Sequence, residues 1–307
     1  MKFKPRIKGL VLVIIAAILW GVSGTAAQFL FQKKGFSIEW LVDIRLLISG
    51  LILLLCTSAK GDQDMWRIWK SKHSCLSLIV FSIIGMVGVQ YTYFAAIKYG
   101  NAATATILQY LSPVIITCYL IVRSKKNPSL QEIIAIILAM AGTFFIITKG
   151  NIHNIAISKL ALFWGITSAV MAAFYTLQPR ALLEKYGSAF VAGWGMFIGG
   201  IAFSFIHQPW NFTGEWSIDS VLAVIIVVLF GTLIAFYCYF ESLKYIQPTE
   251  ASILSSVEPL SAALLSVLWL HVYFGLSEWL GTVCIISTVI ILSPRKNKKS
   301  KAEFEAI

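Results

Sequence analysis

Apolar runs of about twenty residues, the length needed to cross a bilayer as a helix, alternate along this chain with short polar segments. The first run, residues 9–32, carries no charge and would be about 36 Å long as a helix at ~1.5 Å per residue. Nine more follow, at about 38–58, 74–97, 102–122, 130–148, 160–178, 188–206, 220–240, 249–270 and 277–293. The pattern predicts an all-α polytopic membrane protein with ten transmembrane helices, and the joining loops leave no room for a soluble domain. A cleavable signal peptide ending near Thr25-Ala26-Ala27 is the competing reading of the first run, which is long for that role.

Basic residues near span ends are retained on the cytoplasmic side. With the N-terminus inside, nineteen of the 25 Lys and Arg residues fall in inner segments, and five fall outside: Lys33, Lys34, Lys98, Lys149 and Lys159. Arg45 alone sits within a span. Both termini are therefore expected to be cytoplasmic, in a multi-pass protein of the cell membrane. The net charge of +11 is topogenic and calls for no nucleic-acid partner.

The stretch from Gly85 to Pro113 aligns with that from Gly231 to Pro259 at an offset of 146 residues. Ten positions coincide: Gly85/Gly231, Tyr91/Tyr237, Tyr93/Tyr239, Phe94/Phe240, Lys98/Lys244, Tyr99/Tyr245, Ala105/Ala251, Ile107/Ile253, Leu108/Leu254 and Pro113/Pro259. Trp20-Gly21 and Trp164-Gly165 also correspond, as do Glu132 and Glu278. Five spans per half is an odd number, so the two copies, 1–148 and 149–307 with its basic cytoplasmic tail, read as two inverted five-helix repeats. Such repeats place a substrate site near the bilayer midplane, between the halves.

With 58% hydrophobic and 13% charged residues, the chain holds more apolar surface than one soluble core can hide. Its five cysteines are scattered without metal-ligand spacing, so neither a metal nor another cofactor is expected. No HExxH, GxSxG or Walker loop is present, which favours a non-enzyme over the alternative of a membrane-embedded lipid-modifying enzyme.

The Trp-Gly openings of the first and sixth helices, the Arg45-Leu46-Leu47-Ile48-Ser49-Gly50 run, Leu108-Gln109-Tyr110-Leu111-Ser112-Pro113 and Val257-Glu258-Pro259-Leu260 together resemble the EamA family of the drug/metabolite transporter superfamily. The resemblance covers nearly the whole chain. It departs after the fourth and ninth helices, where Arg123-Ser124 and residues 271–275 replace the family's frequent Gly-Glu pair. The resemblance implies ten spans as two repeats, and secondary export of small organic metabolites such as amino acids. Efflux of hydrophobic cationic drugs is the alternative substrate class.

Glu258 falls about 12 Å into the ninth helix, where a carboxylate is costly and usually serves function. It is the candidate for both substrate binding and proton coupling; a structural acid bonded across helices is the other reading. Pro113 and Pro259 free the carbonyls of Gln109 and Ser255 in matching helices, either to form a site or as simple kinks. Trp20, Gln90, Tyr93, Gln109, Tyr110, Tyr175, Tyr237, Tyr239 and Ser255 complete the candidate substrate-binding set. Gln178 is a further candidate, and Arg45 either meets a carboxylate or snorkels to the surface. The first, third, fourth, sixth, eighth and ninth helices are expected to wall the cavity, with the fifth and tenth peripheral. The expected partners are a small-molecule substrate and the lipid bilayer; a homodimer stays open. Reporter fusions after Lys98 and after Lys126 should fall on opposite sides of the membrane with Lys98 outside, and the same side for both would rule this topology out.

Overall fold

A computed structural model describes residues 5–58, 63–124, 127–149, 157–246, 251 and 254–292; Lys2, Lys4, Lys60, Lys125, Lys126 and the basic C-terminal tail lie outside them. Every regular element among the described residues is helical. The principal helices are α1 (Pro5–Lys33), α2 (Ile38–Ser58), α3 (Lys72–Tyr99), α4 (Ala102–Arg123), α5 (Leu130–Thr148), α6 (Lys159–Leu177), α7 (Ser188–Ser204), α8 (Ile218–Tyr239), α9 (Val257–Leu268) and α10 (Leu276–Leu292). A two-turn helix, Arg180–Tyr186, and a 3-10 segment, Gln63–Lys70, occupy connections that the hydropathy pattern leaves as loops.

Among the described residues seven helices are long and apolar enough to cross a bilayer, while α7, α9 and α10 are shorter apolar helices. The clearest shortfall against expectation is α9. Leu254 and Ser255 are helical, the chain turns at Ser256, and α9 begins at Val257. Pro259 explains the turn, because its ring lacks an N–H and clashes with the preceding helical carbonyl. The same break occurs in α4, where Ala102–Gln109 and Ser112–Ser124 are separated by a turn at Tyr110 and Leu111, just before Pro113. Helix starts are set by local chemistry. Asn101 Oδ1 accepts the Thr104 amide at 2.8 Å, and Ser129 with Glu132 forms a reciprocal cap on α5.

Four sets of contacts build the bundle. α2 packs along α7 and α5 along α10, while α1 packs on α8 and α9, as α6 does on α3 and α4. In lipid there is no hydrophobic gain from pressing one apolar helix on another, so close approach falls to small residues. α1 buries Gly9, Ala16, Ala17, Gly21, Ser23, Gly24, Thr25, Ala26 and Ala27. On the α2–α7 seam a Cβ on Gly50 would stand 2.5 Å from the Phe197 amide nitrogen, and one on Gly200 would stand 2.9 Å from the Leu47 side chain. The seam also carries a polar tie, in which Ser204 Oγ donates to the fully buried Asp43 at 2.9 Å. Larger apolar side chains such as Leu55, Ile137, Met140 and Val283 are exposed and face the hydrocarbon.

Two segments depart from α geometry at matching positions, Phe81–Val87 in α3 and Ile226–Ile234 in α8, where the helix widens to π turns. The wider turn in α8 lets Thr232 Oγ1 donate to the Val227 carbonyl five residues back at 2.9 Å. Neither π segment has a sequence signal.

Because backbone atoms of Phe197 cannot yield, Gly50→Ala should cost about 1–3 kcal/mol by overpacking. A melt in detergent micelles should show a fall of several degrees, whereas Val122→Ala, at a side chain 78% exposed, should leave the transition in place.

Candidate functional site

The breaks in α4 and α9 face each other across a cavity of about 480 Å³. Tyr110, in the α4 turn, reaches across it. Its hydroxyl donates to the Ser255 carbonyl at 2.6 Å and stands 3.2 Å from Glu258 Oε2. The carbonyl that Pro259 deprives of its helical partner thus finds one from the other half of the chain. Ser255 Oγ donates to Ala251 O at 2.9 Å, and Ser261 Oγ donates to the Glu258 carbonyl at 2.8 Å, so side chains hold the irregular turn on both sides.

The Trp-Gly pair of α1 has a plain physical role here. A Cβ on Gly21 would lie 2.0 Å from Ser261 Oγ and 2.9 Å from the Glu258 carbonyl, so glycine lets α1 touch α9 at the acid. Trp20 next to it is turned into the cavity, meeting Phe236 edge-on at 5.4 Å and Tyr239 at a tilt at 5.5 Å. These rings and Tyr175, itself packed on Phe81 at 5.4 Å, supply an aromatic wall.

The other wall is polar. Arg45, 5% exposed, donates from Nε to Thr232 Oγ1 in the α8 π segment and lies 5.0 Å from the centre of the Phe94 ring. It does not snorkel to the surface; it faces the same cavity as Glu258. Among the lining residues Arg45 is the one base and Glu258 the one acid, and no ion pair joins them. Tyr93 shares a 2.7 Å hydrogen bond with Thr106, and Gln109 Nε2 donates to Ser168 Oγ at 2.8 Å.

Trp20, Gln90, Tyr93, Gln109, Tyr110, Tyr175, Tyr239, Ser255 and Glu258 are brought together around this one space. Tyr237 is not: it lies on the outer surface, 49% exposed, because its neighbour Phe236 takes the inward direction. Gln178 is also elsewhere, donating to the Ser77 carbonyl and hydroxyl at 3.0 Å and tying the end of α6 to α3. Val289 corrects the expectation that α10 stays peripheral, since it reaches the cavity while no α5 residue does. Ser23, Thr176 and Val289 also line it, without a sequence signal beyond their neighbours. Asp43 is a second buried acid, but it faces α7 rather than the cavity.

Two neighbouring segments of the chain, residues 7–148 and 159–293, match the EamA-like transporter family. An uncharacterized inner membrane transporter of Salmonella typhimurium, YicL, is 41% identical over 297 residues, covering 96% of this chain and 98% of its own. The uncharacterized transporter YwfM of Bacillus subtilis is 25% identical, with 94% and 96% covered. A crystal structure 17% identical in sequence superposes with a TM-score of 0.64 over 93% of this chain and 96% of that one, a likeness of fold. These matches run from end to end of the described bundle, and the chain is an integral membrane protein that belongs to the EamA-like transporter family.

Proposed function

We propose that this transporter exports small organic metabolites, amino acids among them, by alternating access of one cavity between two inverted five-helix repeats, residues 1–148 and 149–307. The observation that carries the proposal is the cross-half contact of Tyr110 with Ser255 and Glu258, at the two proline breaks. The helix contacts support the repeat. Adding five to each helix number leaves α2–α7 and α5–α10 unchanged and exchanges the α1–α8 and α1–α9 contacts with α6–α3 and α6–α4. The π segments of α3 and α8 and the breaks of α4 and α9 obey the same rule.

The cavity volume of about 480 Å³ suits a small solute. One acid and one base on its walls suit a solute carrying both an ammonium and a carboxylate, whereas a di-anionic phosphate needs clustered bases. Trp20, Tyr175, Phe236 and Tyr239 favour a second reading, efflux of a hydrophobic cation held by cation–π contacts beside Glu258. Both readings make the protein a carrier rather than an enzyme, with both termini cytoplasmic.

Glu258 is the proposed proton carrier. Tyr110 has a single hydroxyl proton and two oxygen neighbours, and the shorter contact goes to the Ser255 carbonyl. A protonated Glu258 supplies a second proton, completing a chain from carboxyl to Tyr110 to carbonyl. An ionised Glu258 cannot, and is instead free to receive a substrate ammonium. Proton and substrate then alternate at one carboxyl, so an inward proton gradient drives export. In proteoliposomes, Glu258→Gln should abolish gradient-driven accumulation while sparing exchange of amino acid at equal pH. Undiminished gradient-driven transport by the Gln variant would show that the proton travels elsewhere.

A further inference from the structure

A second, smaller cavity of about 220 Å³ lies at the end of the bundle that carries the α3–α4, α5–α6 and α9–α10 turns. Its walls include Asn101, Thr104, Lys149, Ser158, Tyr273 and Glu278. Glu278, its side chain 4% exposed, receives Lys149 Nζ at 3.0 Å on one oxygen and the Gly275 amide at 3.0 Å on the other. The ion pair therefore joins the end of α5 to the start of α10. Ser158 Oγ donates to the Tyr99 carbonyl at 2.9 Å and closes the side towards α3.

This chamber and the central cavity share α4. Thr104 lines the first and Gln109 the second, about 7.5 Å further along the axis at ~1.5 Å per residue. Between them Ala105, Thr106, Ile107 and Leu108 are fully buried or nearly so. Leu108 is pressed on α6 so closely that a Cβ on Gly165 would stand 2.4 Å from its Cδ1. From Gln109 the central cavity extends in the opposite direction, past Ile116 on α4, Thr176 on α6 and Val289 on α10. The path through the bundle is thus open from the middle towards one end, plugged by Ile107 and Leu108, and widened again into a polar chamber beyond the plug.

Resting on the transport reading, we propose that the chamber is the far-side vestibule of the same solute pathway, that Leu108 against Gly165 is its inner plug, and that the Lys149–Glu278 ion pair is the latch that holds this end shut. A vestibule lined by hydroxyl, amide and charged groups offers a solute leaving the plug new partners in place of those it gives up at Glu258. Opening requires α4 to part from α6 and the α9–α10 turn to move off the end of α5, which the ion pair opposes. Lys149 caps the end of α5, the last helix of the first five, and Glu278 stands at the start of α10, the last helix of the second five, so the latch ties the two five-helix units together.

The test uses the full chain with its five cysteines replaced by serine and single cysteines at Ser112, in the central cavity, and at Thr104, in the chamber. A membrane-impermeant maleimide is applied to each face of sealed vesicles. Ser112→Cys should react from the face opposite Lys149, and Thr104→Cys from the Lys149 face. Adding Lys149→Gln or Leu108→Ala should speed labelling of Ser112→Cys from the Lys149 face by about tenfold, as the population shifts towards the other state. The double exchange Lys149→Glu with Glu278→Lys should bring the rate back to that of the parent. The proposal is overturned if Lys149→Gln leaves that rate unchanged, if the exchange fails to reverse a rise, or if Thr104→Cys reacts only from the opposite face. Lys149→Gln changes a partly exposed side chain, so the test survives if Leu108→Ala does not fold. Labelling needs no substrate. Failure of the transport reading would appear separately, as absent solute flux in a protein whose labelling follows these rules.

Discussion

A carbonyl without a partner inside a bilayer costs several kcal/mol, and the position of Pro259 creates that problem at Ser255 in the middle of this bundle. The Tyr110 hydroxyl answers it at 2.6 Å from the opposite half of the chain. Much of the site follows from this contact. It fixes the turn of α4 against the turn of α9, places the Tyr110 oxygen beside Glu258, and keeps the two breaks from collapsing onto one another. Pro113 contributes by breaking α4 where Tyr110 must leave the helical path.

The same contact needs α1 close enough to support it, and α1 meets that need with glycine and alanine. Gly21 lies against the Glu258 carbonyl, and Gly231 on α8 lies against Ser23, so the helix carrying Trp20 is held between the two elements that supply Glu258 and Tyr239. Small residues therefore do more than permit packing here. By removing side-chain volume along α1, they bring polar groups from six other helices around one cavity. The polar ties are local and short, whereas the lipid-facing surface is a broad run of Leu, Ile and Val that specifies little beyond residence in the bilayer.

The sequence made the helices and most of the cavity lining legible because each rests on a residue with few alternatives. Pro113 and Pro259 must interrupt a helix, Glu258 must face something polar, and a glycine beside Trp20 marks a close crossing. Tyr237 and Tyr239 were indistinguishable as residue types, and only the inward turn of Phe236 decides between them. Arg45 was ambiguous for a different reason. Its partner Thr232 is presented by a π turn, and no residue in Ile226–Ile234 announces that geometry. Val289 lines the cavity by its position on α10 rather than through its chemistry, and the two-turn helix at Arg180–Tyr186 is too short to leave a periodic trace. The residues that chemistry constrains were readable; those placed by helix phase and position were not.

The proposed repeat also accounts for the sparse charge in the cavity. Glu258 corresponds to Ser112 at the offset of 146, and Arg45 corresponds to Gly195 at the offset of 150 that relates Ile48 to Ile198. Had duplication kept the acid in both halves, two carboxyls would face each other across a narrow, poorly solvated space, and ionising one would oppose ionising the other. Had it kept the arginine, Gly195 would have to give way, although a Cβ there would already stand 2.7 Å from the Phe81 ring. One acid and one base, each drawn from a different half, keep the cavity's charge small in either protonation state of Glu258. They also make the two halves chemically unlike while their backbones keep the same pattern of contacts. Under the proposed alternating access, an exchange of backbone conformations between the halves would change which end is open without exchanging the groups proposed to hold the solute.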